Sequence, residues 1–252
     1  MSSLWKNRQS LLNRDTLSHS LASPVLMECP EPPALASLPK LRTPLPDDIF
    51  PDDLFVHDTH NLTGGATSSP IHYARVYPVS IQDTTIELTR KHGRASKVPE
   101  PRPRNIAHLF LGAAVEVGRG QVATTHRAPL TLSSHPENKT FAVVAKLARG
   151  TCGAHQRLLQ EAGVLNGIFR LVELDFRGLT SAFAAGGAPD PKIGSSPAWL
   201  PQFYGFYVPV GEDGEARVQA HDEGCDEKCE GEVSWMTPIL LLEECEDSIR
   251  AK

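Results

Sequence analysis

With 252 residues, 40% of them hydrophobic and 22% charged, the chain is long enough for one or two domains. Its formal net charge of -5 argues against nucleic acid as a main partner, because phosphate binding needs clustered Lys and Arg. Nothing approaches the ~18 consecutive apolar residues of a transmembrane helix, and Met1 to Leu21 lacks the continuous apolar core of a secretory signal, so no membrane partner is expected.

Residues 1–104 hold thirteen of the twenty-one prolines and mix Ser, Pro and Asp with short apolar patches. The stretch Pro30 to Asp53 has too many prolines for a helix or a central strand. A largely disordered tail is the expectation there. Ala74 to Arg90 is the exception, a candidate strand or hairpin that Pro78 demotes. Pro99 to Arg104 reads as a linker, and residues 105–252 as the folded unit.

Past the linker, Ile106 to Val117 predicts a strand that Gly118-Arg119-Gly120 breaks. Gln121 to Leu132 predicts a second strand, and Thr140 to Ala148 (TFAVVAKLA) a third, joined by a polar turn. Short connections between the three imply an antiparallel meander. Ala154, Leu158, Leu165, Ile168 and Val172 then recur at helical spacing and define one apolar stripe. Gly163 and Gly167 weaken that helix by about 1 kcal/mol each. After a Gly/Ala/Ser/Pro loop come two apolar runs, Leu200 to Val210 and Thr237 to Cys245, separated by an acidic segment.

Two charges stand in apolar settings: Lys146 in the third strand and Glu161 inside the helical stripe. An isolated buried charge is costly, and pairing is the usual remedy. On these two residues alone, a solvent-facing lysine and a helix-edge glutamate explain as much.

Their company supports a different reading. In order along the chain stand a glycine turn with Gly118 and Gly120, a strand carrying V-V-A-K, a helix with Glu161, and two strands. This series resembles the N-terminal lobe of the protein kinase family, in texture that of the divergent kinase-like proteins of fungi. The resemblance spans Ile106 to the C-terminus. It implies an α+β unit, a kinase-like N-terminal lobe with a five-stranded antiparallel sheet and one main helix, behind the disordered tail. It implies ATP as the cofactor. Gly118 and Gly120 would approach the phosphates, Ala145 would lie under the adenine, and Lys146 would pair the α and β phosphates. Glu161 would hold the lysine, Leu242 would be the gatekeeper, and the backbone of Glu243 and Cys245 would meet adenine.

The sequence departs from the family in two places. Ala123 replaces the third loop glycine, a change that weakens a phosphate clamp without removing it. No H-R-D-x-x-x-x-N loop or D-F-G triplet follows the expected hinge, so the general base and the magnesium ligands of phosphoryl transfer are missing. His126-Arg127-Ala128 and Asp175-Phe176-Arg177-Gly178 echo those motifs but precede the hinge. The expectation is an ATP-binding lobe, truncated after the hinge and inactive alone, with no catalytic residue assigned. The alternative is a non-catalytic, pseudokinase-type interaction module whose exposed lobe face is covered by a protein partner.

The remaining constellations carry less. Five cysteines without framework spacing fit a reducing compartment, hence an intracellular protein, cytoplasmic or nuclear, with accidental sequons at Asn61 and Asn138. His221, Cys225 and Cys229 lack the tight paired spacing of a zinc site and a fourth ligand, so no metal ligands are assigned and the segment reads as a solvated acidic loop. Cys152 and Cys245 read as ordinary thiols. The G-x-x-x-x-G-K-[ST] of a P-loop is absent.

Overall fold

Alternation with period two sorts nearly every strand of this protein into an inner and an outer face. The computed structural model describes residues 34–39, 51–65, 69–77, 104–133, 139–183, 202–216, 221 and 225–244. Among the described residues, eight strands and one long helix run in the order β1 (Asp53–His57), β2 (Ile71–Tyr77), β3 (Ile106–Phe110), β4 (Val115–Arg119), β5 (Ala123–Leu132), β6 (Thr140–Ala148), α1 (Cys152–Phe183), β7 (Phe203–Pro209) and β8 (Ile239–Leu242).

The strands pair in the order β3-β1-β2-β7-β8-β6-β5-β4, and β3 also pairs with β5. That extra pairing closes seven strands into a barrel and leaves β4 outside the ring, paired only to β5. The β1–β3 pair is parallel and the others are antiparallel, so the barrel is mixed.

Inward-facing residues fill the barrel with apolar side chains. Leu54 and Val56 of β1, Tyr73 of β2, Leu109 of β3, Leu130 of β5, Val143 and Leu147 of β6, Tyr207 of β7 and Leu241 of β8 belong to one buried cluster. A second cluster lies outside, between the barrel and α1. There Ala154, Leu158 and Ala162 of the helix meet Phe203, Phe206 and Val208 of β7 and Leu240 of β8. The predicted helical stripe is therefore real over Ala154 and Leu158, with Leu165 packed at its margin.

This closed, mixed, seven-stranded barrel is not the expected kinase-like N-terminal lobe, with its five-stranded antiparallel sheet and one main helix behind a largely disordered tail. The expected strands have apolar residues on both faces, and α1 covers only one of them. β1 and β2, inserted between β3 and β7, complete the wall that covers the other. β1 and β2 lie in residues read as tail, yet Leu54, Val56 and Tyr73 are fully buried. Polar groups fasten the added wall. Arg75 donates to Asp52 at 2.6 Å, Asp52 takes the Asn105 N–H at 3.0 Å, and the buried Tyr207 hydroxyl donates to the Pro51 carbonyl at 3.1 Å.

The single strand expected over Ile106–Val117 is two. A 3-10 turn at Leu111–Ala113 separates β3 from β4, and Gly112 lies against Thr59 where a Cβ would collide with its hydroxyl. β5 changes partner accordingly: Arg127 is the last residue opposite β4 and Leu130 the first opposite β3. Pro129, which has no N–H to give a ladder, falls in the gap between them. Among the described residues, no helix is long and apolar enough to cross a membrane.

Candidate functional site

Lys146 lies on the outer face of β6 because its neighbours Ala145 and Leu147 point into the barrel. The face that carries Lys146 runs beside α1, and Glu161 descends from the helix, within its third turn, to meet it. The lysine Nζ donates to both carboxylate oxygens, at 2.7 and 2.6 Å. The side chains keep 25% and 38% of their exposure, so the pair is half-open to solvent. A pair in that setting contributes roughly 0.2–1 kcal/mol, too little for stability alone to explain its placement. An ammonium group has three donors, and two are used on Glu161, which leaves capacity for a further acceptor.

The strand register extends the site sideways. Gly118 pairs with Thr125, Thr125 with Lys146, and Lys146 with Leu240, so these residues form one row across β4, β5, β6 and β8. Gly118 is thus two strands, roughly 10 Å, from the lysine backbone. A Cβ at Gly118 would stand 3.8 Å from Thr125, and one at Gly120 3.5 Å from the Ala123 carbonyl. Both are ordinary contacts, so the protein's own packing requires neither glycine.

Other predicted site residues are placed differently. Ala145 is fully buried inside the barrel, on the face opposite Lys146. The residue sharing the lysine's face is Val144, which pairs with Leu242 of β8. Glu243 follows β8, where its N–H donates to the Gln202 carbonyl at 2.8 Å and its carboxylate accepts the Gln202 N–H at 3.1 Å. Cys245 lies outside the described residues, as does the reading of Ala74 to Arg90 beyond Tyr77. The structure therefore unites Lys146 with Glu161 and aligns Gly118 with them, but separates Ala145 from that group.

A second constellation was visible in the sequence for three of its four members. Cys152, the first residue of α1, joins His221, Cys225 and Cys229, and the four ligand atoms all lie within 4.8 Å of one another. Cys225 Sγ is 3.8 Å from Cys229 Sγ, and His221 Nδ1 is 3.5 Å from Cys229 Sγ and 4.0 Å from Cys225 Sγ. Cys152 is fully buried, and burial pushes its thiol up to about 11 despite the His221 backbone, with the neighbouring Cys225 and Cys229 thiols adding to the rise. Three sulfurs and an imidazole converging in this way are the donor set of a soft or borderline metal ion. Cys152 is the member of this cluster that sequence reading missed. It stands alone, far upstream of the other three, and only the return of the 225–232 segment to the start of α1 reveals it.

No protein-family model, curated protein or solved structure matches this chain.

Proposed function

We propose that the protein binds an adenine nucleotide on the outer face of its barrel, with Lys146 as the phosphate partner and Glu161 holding the lysine in place. The two-pronged contact between β6 and α1 carries this reading. A half-exposed lysine, oriented by a carboxylate and retaining a donor, is suited to bind a polyphosphate. Gly118 and Gly120 support it, because glycines that the fold does not require leave room for a ligand to approach the backbone. The base would rest beside Val144 and Leu242 rather than Ala145, with Glu243 at the rim. The residues needed to hold magnesium and deprotonate an acceptor are not among those gathered here, so the reading is of binding without phosphoryl transfer. Thermal-shift titration with ADP and Mg-ATP tests it: nucleotide should raise the melting temperature of the wild type and leave Lys146→Met unmoved.

One observation favours a second reading, a non-catalytic interaction module. β4 lies outside the closed ring, and Val115 and Val117 along it are each 56% exposed. An edge strand of that kind can accept a strand from a protein partner. Under this reading Val117→Lys abolishes a stable complex in pull-down while nucleotide has no effect on melting.

A further inference from the structure

We infer that Cys152, His221, Cys225 and Cys229 form a structural zinc site that clamps the 225–232 segment onto the first turns of α1. The inference stands on residues separate from Lys146 and Glu161 and does not depend on nucleotide binding.

The distances fit a tetrahedral ion. With Zn–S near 2.3 Å and Zn–N near 2.0–2.1 Å, a tetrahedron has S···S edges of ~3.8 Å and S···N edges of ~3.6 Å. The Cys225–Cys229 separation is 3.8 Å, the His221–Cys229 separation 3.5 Å and the His221–Cys225 separation 4.0 Å, with all four ligand atoms within 4.8 Å of one another, so small shifts bring them onto such an ion. A 3.8 Å sulfur separation is also well beyond the ~2.05 Å of a disulfide.

The shell around the ligands fits as well. His221 Nε2 lies 2.9 Å from the Glu232 carbonyl, which can only accept. Nε2 therefore donates to that carbonyl, and Nδ1 is turned toward the sulfurs, the orientation a ligating histidine requires. Gly231 packs so closely on the imidazole that a Cβ would overlap it, and Trp235 covers the ring edge-on at 5.2 Å between centroids. Glu232, Gly231 and Trp235 thus hold the imidazole with Nδ1 toward the cysteine sulfurs. The acidic composition that made this segment look like a plain solvated loop concealed a hydrogen-bonded return. Cys152 N–H donates to the Gly231 carbonyl at 2.9 Å, and Gly153 N–H to the Cys229 carbonyl at 2.8 Å. Gly153 admits that approach, since a Cβ there would stand 2.6 Å from the Cys229 oxygen.

The position of the site gives it a role. Arg157, one turn further along α1, donates to the Glu227 carbonyl at 2.8 Å, and Glu161 lies one turn beyond Arg157. Zinc binding, which displaces the thiol protons, fixes the start of the helix whose third turn presents Glu161.

The test is metal analysis of the full chain, purified under reducing conditions without a polyhistidine tag, followed by cobalt titration of chelator-stripped protein. The expected result is stoichiometric zinc that survives desalting, with a fall in melting temperature on chelation that zinc reverses. Cobalt should give strong tetrahedral d–d bands and thiolate-to-metal charge transfer. Cys225→Ser should lower zinc to the buffer background. Cys225 is partly exposed, so this variant keeps its fold where Cys152→Ser at a buried position could fail. Wild-type protein that takes up neither zinc nor cobalt, cobalt spectra without thiolate bands, or full zinc retention in Cys225→Ser would each overturn the inference.

Discussion

Removing residues 1–104 should abolish the fold rather than trim a tail. The deletion takes away β1 and β2, and with them four side chains in the barrel core: Leu54, Val56 and Tyr73 at 0% exposure and Ile71 at 9%. At roughly 1.5–3 kcal/mol for each buried apolar side chain, the direct loss is about 6–12 kcal/mol. That is comparable to the whole net stability of a typical domain, about 5–15 kcal/mol. The loss is larger still in effect, because β3 and β7 then present unpaired edges and Tyr207 loses its hydroxyl partner at Pro51. A chain of residues 51–252 is the matched comparison. Among the described residues it keeps every strand, and it loses the hydrogen bonds from Arg127 to the Leu35 carbonyl and from the Ala142 N–H to the Pro39 carbonyl. Those bonds contribute about 1 kcal/mol each. Urea unfolding followed by tryptophan fluorescence and near-UV circular dichroism should show a cooperative transition for 51–252 and none for 105–252. A fragment 105–252 that unfolds cooperatively at the full chain's midpoint would refute the closed barrel.

Three further outcomes follow from particular residues. Gly205 sits at a bulge in β7 with φ +147°, and a Cβ there would stand 2.7 Å from the fully buried Tyr207 ring, so Gly205→Ala should destabilise by at least ~1–3 kcal/mol in chemical denaturation. An unchanged midpoint would show that the β7 bulge can be remodelled freely. Burial and then the neighbouring His108 pull the His57 pKa down from 6.5 to about 4. The unfolded chain therefore takes up a proton at His57 that the folded chain refuses, so this contribution is complete above pH 6.5 and is lost as pH falls toward 4. The melting temperature should drop across that window and drop less in His57→Gln; parallel profiles for the two proteins would contradict the assignment. A double-mutant cycle on Lys146→Met and Glu161→Gln should give a coupling of only ~0.2–1 kcal/mol in stability, as expected for a half-exposed pair. A coupling of several kcal/mol would mean that the pair is there to stabilise the fold.

Much of the region after residue 105 was legible because the signals were local. The apolar, β-branched run TFAVVAKLA spans the same residues as β6, and the spacing of Ala154 and Leu158 anticipated the helix face that meets the barrel. Lys146 and Glu161 stood out as charges in apolar settings, and the structure joins them. The barrel was not legible, because closure depends on the long-range pairs β1–β3 and β3–β5. β1 is only five residues long, DLFVH, and follows a proline-rich stretch that argues for disorder. β2 bends at a bulge between Arg75 and Tyr77, so Tyr73 faces the barrel interior while Tyr77 joins the outer cluster, and a simple alternation fails there. The placement of Ala145 was lost by a single residue of register. Adjacent strand positions face opposite ways, so a residue next to Lys146 cannot share its ligand. The thiol cluster was three-quarters visible, and its fourth member, Cys152, is brought in by the fold alone.

The most direct test of nucleotide binding at Lys146 is isothermal titration of ADP and Mg-ATP into the wild type and Lys146→Met. Loss of a charged hydrogen bond to phosphate is worth ~1.5–3 kcal/mol, so affinity should fall roughly 10- to 150-fold in the variant while its melting temperature barely changes. Wild-type protein that binds neither nucleotide, or a variant that binds both as tightly as the wild type, would contradict the assignment of Lys146 as the phosphate partner.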